Sequence, residues 1–97
     1  MLKSKFKKND TVTLKIASGE ELIATYQSED TDSYEIKKPM AITVTGQGLG
    51  LVPWMFSGNA TTSIHLPKDK VFVITDTLKD LADQYIQNTT GITLAKP

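Results

Sequence analysis

Thr11-Val12-Thr13-Leu14-Lys15-Ile16, followed by Ala17-Ser18-Gly19-Glu20 and then Glu21-Leu22-Ile23-Ala24-Thr25-Tyr26-Gln27-Ser28, decides the architecture of this chain. Val12, Leu14 and Ile16 alternate with Thr11, Thr13 and Lys15, the period-2 pattern of a strand with one face buried and one face wet. Ser18-Gly19 supplies a tight connection, because glycine tolerates a positive φ. Leu22, Ala24 and Tyr26 then resume the alternation on the return. Residues 11 to 28 therefore read as a β-hairpin.

An acidic corner follows in Glu29-Asp30-Thr31-Asp32-Ser33, and a third alternating run in Tyr34, Ile36, Met40, Ile42 and Val44. Pro39 interrupts that run. A proline cannot donate to a ladder, so it belongs at an edge, a bulge or a bend, and a bend predicts a strongly curved sheet. Lys70-Val71-Phe72-Val73-Ile74-Thr75 is a further strand, apolar on both faces, as if core covered one side and a helix or neighbour the other. Leu78, Leu81, Ala82, Tyr85 and Ile86 fall at helical spacing after Asp76 or Thr77, either of which can serve as the cap, and Gly91 can end the helix. Such a helix must cover something, and packing within its own subunit is the first expectation.

The arrangement resembles the Sm-like family, which includes the Sm and LSm proteins and the bacterial protein Hfq. Ile16, Gly19, Leu22, Ala24, Tyr26 and Asp30 stand at the spacing of that family's first motif, with Ala24 in place of its usual glycine. Ile64-His65-Leu66-Pro67-Lys68-Asp69-Lys70-Val71 has the apolar spacing of the second motif, with Pro67-Lys68 where the family carries arginine-glycine. The resemblance implies a small, strongly bent, five-stranded antiparallel Sm-like (SH3-like) barrel over residues 10–75. A basic arm would precede it at 1–9 and a C-terminal helix would follow at 76–90. It also implies a cyclic homo-oligomer of five to seven subunits, with paired edge strands and single-stranded RNA as partner.

The site residues carried over are Asp32, Ser33, Tyr34 and Lys68. Ser33 or Tyr34, depending on the alignment, stands where RNA-binding relatives have a base-reading asparagine, and Lys68 supplies the one cation of the closing turn. Electrostatics does not reinforce that function. Eleven basic and eleven acidic residues leave no net charge, whereas nucleic-acid affinity rests on cations that displace counterions. The basic cluster Lys3, Lys5, Lys7 and Lys8 reads as a solvated arm, while Glu29, Asp30 and Asp32 crowd the loop that would face RNA.

Between Val44 and Ile64 lies a segment with no place in the minimal fold. Its glycines make no phosphate-binding fingerprint. Leu51-Val52-Pro53-Trp54-Met55-Phe56 reads either as a fourth strand in the core or as an apolar lip for subunit contact or for gripping a ligand. Trp54, Met55, Phe56, Val71 and Val73 are accordingly the candidate interface residues, and both readings require Trp54 to be partly buried.

The chain contains no cysteine and a single histidine, His65, so neither a thiol nucleophile nor a zinc cluster is expected. The acidic corner lacks the ligand spacing of a calcium loop. The reading is a non-enzyme without cofactor or metal: an RNA-binding ring first, a protein-interaction or assembly module as the alternative, and a small-ligand binder third. Ninety-seven residues suffice for one domain. No apolar stretch of signal-peptide length opens the chain, so a cytoplasmic site is expected, without membrane association. The lysine- and threonine-rich, cysteine-free style resembles phage Sm-like proteins, which would act in an infected bacterial cell.

Overall fold

The computed structural model describes residues 5–90, in which one antiparallel sheet is followed by one helix. The strands are β1 (Thr11–Ile16), β2 (Glu21–Glu29), β3 (Ser33–Thr45), β4 (Gly48–Pro53), β5 (Ile64–Pro67) and β6 (Val71–Asp76), and the helix α1 spans Lys79–Thr90. A single 3-10 turn, Lys68–Lys70, joins β5 to β6. The hairpin is present with Leu14 opposite Leu22 and Val12 opposite Ala24, and Gly19 turns it at a φ of 97°.

The sheet runs β4-β3-β2-β1-β6, with β5 also paired to β3. It has six strands, not five, and it is open. β3 is 13 residues long and serves two partners along one edge: Ser33–Ile36 pair with β5, and Met40–Thr45 pair with β4. No ladder joins β5 to β6 among the described residues, so the hydrogen-bonded path ends there instead of closing. The additional strand is β4, built from the glycine-rich start of the segment that the minimal fold lacks.

Val12, Leu14, Ile16, Leu22, Ala24, Tyr26, Ile36 and Ala41 form the core on the concave face. Phe6, Tyr34, Trp54, Ile64, Leu66, Val71 and Ile74 pack around it. β2 is buried on both faces, because Ile23, of opposite parity to Leu22 and Ala24, is also fully buried. The cover on that second face is α1. Tyr85 is 1% exposed and its hydroxyl reaches Thr25 at 2.9 Å and the Lys38 carbonyl at 2.7 Å. With one proton on the phenol, Tyr85 donates to Lys38 and accepts from Thr25. Burial pushes the phenol's pKa up to about 12, so it remains a donor across the ordinary pH range.

Pro39 sits at a bulge, as its chemistry requires. Ile23 pairs with Met40 and Thr25 with Lys37, so Lys38 and Pro39 together oppose the single residue Ala24. Lys38 adopts a φ of 54°, a left-handed conformation that costs a lysine about 1–2 kcal/mol. Its peptide groups are both engaged, the N–H by Ala60 at 3.0 Å and the carbonyl by Tyr85.

Three local expectations need correction. The helix starts at Lys79, later than the expected 76, and the Thr77 hydroxyl lies 2.8 Å from that of Thr13, which ties it to the sheet. The segment Leu51–Phe56 is not one strand: β4 begins at Gly48 and ends at Pro53, before Trp54. β6 is not covered on both faces, since Phe72 is 69% and Val73 52% exposed. It is an end strand, and nothing among the described residues lies beyond it. Lys3 and Gly91 lie outside the described residues.

Tyr85→Phe removes the donor to the Lys38 carbonyl while keeping the ring. Unfolding by urea should show a loss of about 1–3 kcal/mol. Lys38→Gly, which relieves the left-handed strain, should raise stability by up to about 1 kcal/mol in the same assay. A neutral Tyr85→Phe would mean that α1 is held by ring burial alone.

Candidate nucleic-acid interface and apolar edges

The turn between β2 and β3 is built by one carboxylate. Asp30 Oδ1 accepts the N–H groups of Asp32 and Ser33, each at 2.8 Å, and the Ser33 hydroxyl at 3.3 Å, while the Asp30 N–H donates to the Ser33 carbonyl at 3.0 Å. This is an Asx turn, the local geometry in which an aspartate side chain substitutes for backbone. The backbone donors from Asp32 and Ser33 hold the Asp30 pKa below its ordinary value.

The 3-10 turn docks onto this corner. Lys68 donates its N–H to the Asp32 carbonyl at 2.8 Å, Ser33 stands opposite Pro67, and Tyr34 stands opposite Leu66. The four residues expected as an RNA site, Asp32, Ser33, Tyr34 and Lys68, are thus brought together by the β3–β5 ladder. Tyr34 is half-buried, and the Lys68 ammonium lies 4.9 Å from its ring centroid.

That ammonium is already engaged. Lys68 Nζ is 2.7 Å from Glu29 Oε2, and the Tyr26 hydroxyl donates to Glu29 Oε1 at 2.9 Å. The Glu29 carboxylate raises the Lys68 pKa above its ordinary value, chiefly through this hydrogen bond. Glu29 was legible only as one of three corner acids. Its role as counter-ion comes from β2 running on to Glu29, which sets its side chain beside the closing turn.

Beside the corner, His65 on β5 faces Glu35 on β3, and Ser28 donates its hydroxyl to Glu35 Oε1 at 2.8 Å. The Ser28 and Ser63 hydroxyls hold the Glu35 pKa down. The recess lined by Ser28, Glu35 and His65 is about 80 Å³, too small for an organic substrate. Among the described residues no group of three or more histidine and carboxylate side chains is placed to hold a metal ion.

The five candidate interface residues separate into two kinds. Trp54 and Val71 pack against the core from either side of the β1–β2 turn. Trp54 donates its indole N–H to Glu20 at 3.1 Å, and the Ala17 N–H donates to the Lys70 carbonyl at 2.8 Å, immediately before Val71. Met55, Phe56 and Val73 are exposed, at 47%, 89% and 52%. The sequence did not single out Val44, Leu49 and Phe72, which are also exposed; Val44 and Phe72 belong to runs read as strands with covered faces, and Leu49 to the glycine-rich segment.

Compared with known proteins, the chain matches no protein-family model, and no curated protein is significantly similar to it in sequence. No helix among the described residues is long and apolar enough to cross a membrane.

The Asp30 turn sets a pH dependence. A depressed carboxylate pKa contributes stability that is present above the unfolded value near 3.8 and is lost as pH falls through the lower folded value. Asp30→Asn should therefore flatten the decline in stability below about pH 4, measured by thermal unfolding across an acid series. An unchanged acid limb would assign that decline to other carboxylates.

Proposed function

We propose that the chain is an Sm-like ring-forming protein, five to seven copies of which join head to tail through the two ends of the open sheet. One observation carries the reading: β6, at one end, presents an edge that is unpaired among the described residues, together with exposed Phe72 and Val73. A strand edge with unpaired peptide groups and apolar side chains is a template for another chain, and soluble proteins normally blunt it with charge or cover it. The opposite end of the sheet offers β5 and β4, whose outer edges are likewise unpaired among the described residues. Contact between two different edges is heterologous, and where its rotation closes it forms a ring in place of an open filament. The short 3-10 link between β5 and β6 and the hairpin motif support the Sm-like reading. Under it the protein works in the cytoplasm, of an infected bacterium if its phage-like style indicates its source, and has no catalytic task.

A second reading, single-stranded RNA as the ring's ligand, is favoured by the assembly of Ser33, Tyr34 and Lys68 at one corner. A base would stack on Tyr34, and a ring would repeat the corner in every subunit, so that weak contacts add through effective concentration. Against this stands Glu29, which neutralises Lys68. The assembly reading therefore comes first.

Light scattering after size exclusion should give one discrete particle of five to seven subunits at both low and high salt, and Phe72→Glu with Val73→Lys should convert it to monomers that remain folded. A wild-type monomer would remove the ring. Anisotropy of a labelled single-stranded RNA tests the second reading: Glu29→Gln should strengthen binding by releasing Lys68, and Lys68→Ala should abolish it. Equal affinity in both variants would leave assembly as the only function of the two.

A further inference from the structure

A cavity of about 370 Å³ opens between the β3 bulge, the connection 54–63 and the last turn of α1, away from both the Lys68 corner and β6. Its walls are mainly apolar, from Pro39, Met40, Pro53, Met55 and Ile64. That volume lies within the range of small-molecule sites, which are largely apolar with a few placed polar groups.

The outer wall is built rather than draped. Trp54 donates its N–H to the Pro39 carbonyl at 3.2 Å, where the connection leaves β4, and Lys38 donates its N–H to Ala60 at 3.0 Å, where it returns. Between these ties Asn59 Oδ1 accepts both the N–H and the hydroxyl of Thr61, at 3.0 and 2.8 Å, and the Asn59 carbonyl accepts the Thr62 N–H at 3.1 Å. Met55 packs back against Gly58, where a Cβ would stand 2.8 Å from the mobile Cε end of the methionine.

Charge chooses the class of occupant. Among the described residues that line the cavity, Lys38 is the one that is ionisable, and none is a carboxylate. The two ion pairs among the described residues, Lys68–Glu29 and Lys79–Asp83, do not involve Lys38. A cation beside an apolar recess complements an anionic head on an apolar body.

We propose that this cavity is a binding site for a small amphipathic anion, a medium-chain or aromatic carboxylate, with its apolar body against Met40, Met55 and Ile64 and its carboxylate at Lys38. The site belongs to the single chain, and its occupancy does not depend on the ring or on RNA.

Octanoate is the probe, titrated into the full-length protein while the amide resonances of Thr61, Thr62 and Asn88 are followed, with octylammonium as the same chain of opposite charge. Octanoate should shift these three resonances and saturate below millimolar concentration, and both octylammonium and the Lys38→Gln protein should bind at least about tenfold more weakly. Thr62→Trp, which fills the mouth from an exposed position, should block octanoate without unfolding the chain. Shifts confined to other residues, equal affinity for the two probes, or unchanged affinity in either variant would overturn the proposal. So would an affinity that falls as protein concentration rises, which would mean that a second copy fills the cavity. Particle mass, measured on the same samples, reports separately on the ring.

Discussion

The bulge at Lys38–Pro39 is the constraint on which the other parts depend. β3 cannot run straight through Pro39, which has no N–H to give a ladder, and the two-for-one mismatch against Ala24 bends the strand. The bend lets the first part of β3 pair with β5 and the second with β4. It also turns the peptide groups of Lys38 out of the sheet, where they would be unsatisfied if nothing met them. Tyr85 meets the carbonyl and Ala60 the N–H, so the helix and the β4–β5 connection are both fastened to the same residue. A strain of about 1–2 kcal/mol at a left-handed lysine is offset by these two hydrogen bonds and by the burial of a tyrosine ring.

Two consequences follow from how little material the chain has. The concave core of eight buried side chains occupies one face of the hairpin and β3, and the single helix covers the other face only where Ile23, Thr25 and Tyr85 meet. Among the described residues nothing remains to cover β6 or the β3–β4 hairpin. Their apolar side chains stay outward at a cost that association with further copies would remove. The outward set lies at the sheet ends, in the inserted segment and, with Leu78 and Ile86, at the helix, whereas the inward set lies on the hairpin and β3.

At the corner that the Sm-like resemblance marks, geometry and charge disagree. The Asx turn of Asp30 and the 3-10 turn after β5 bring Ser33, Tyr34 and Lys68 within reach of one another, as a nucleotide site requires. Glu29 then takes the cation at 2.7 Å. An ammonium already paired with a carboxylate displaces no net counterion from a phosphate, so the corner holds the shape of a binding site without its electrostatic drive. This is why assembly is the better-supported reading.

The sequence by itself determined the hairpin, the kink at Pro39, the β6 strand and the helix with Tyr85 on its inner face, because periodicity, proline and glycine chemistry act over a few residues. It also brought Trp54 correctly to the margin of the core. It did not reveal that the sheet stays open. Whether β5 reaches β6 depends on the curvature accumulated along thirteen residues of β3, and no local pattern records that sum. Nor did it reveal the exposure of Phe72 and Val73, since an apolar run reads the same whether its cover comes from within the chain or from another one. Pairing of Lys68 with Glu29, and of Lys38 with Tyr85 across 47 residues, was decided only in three dimensions, because both join groups whose separation along the chain says nothing of their distance in space.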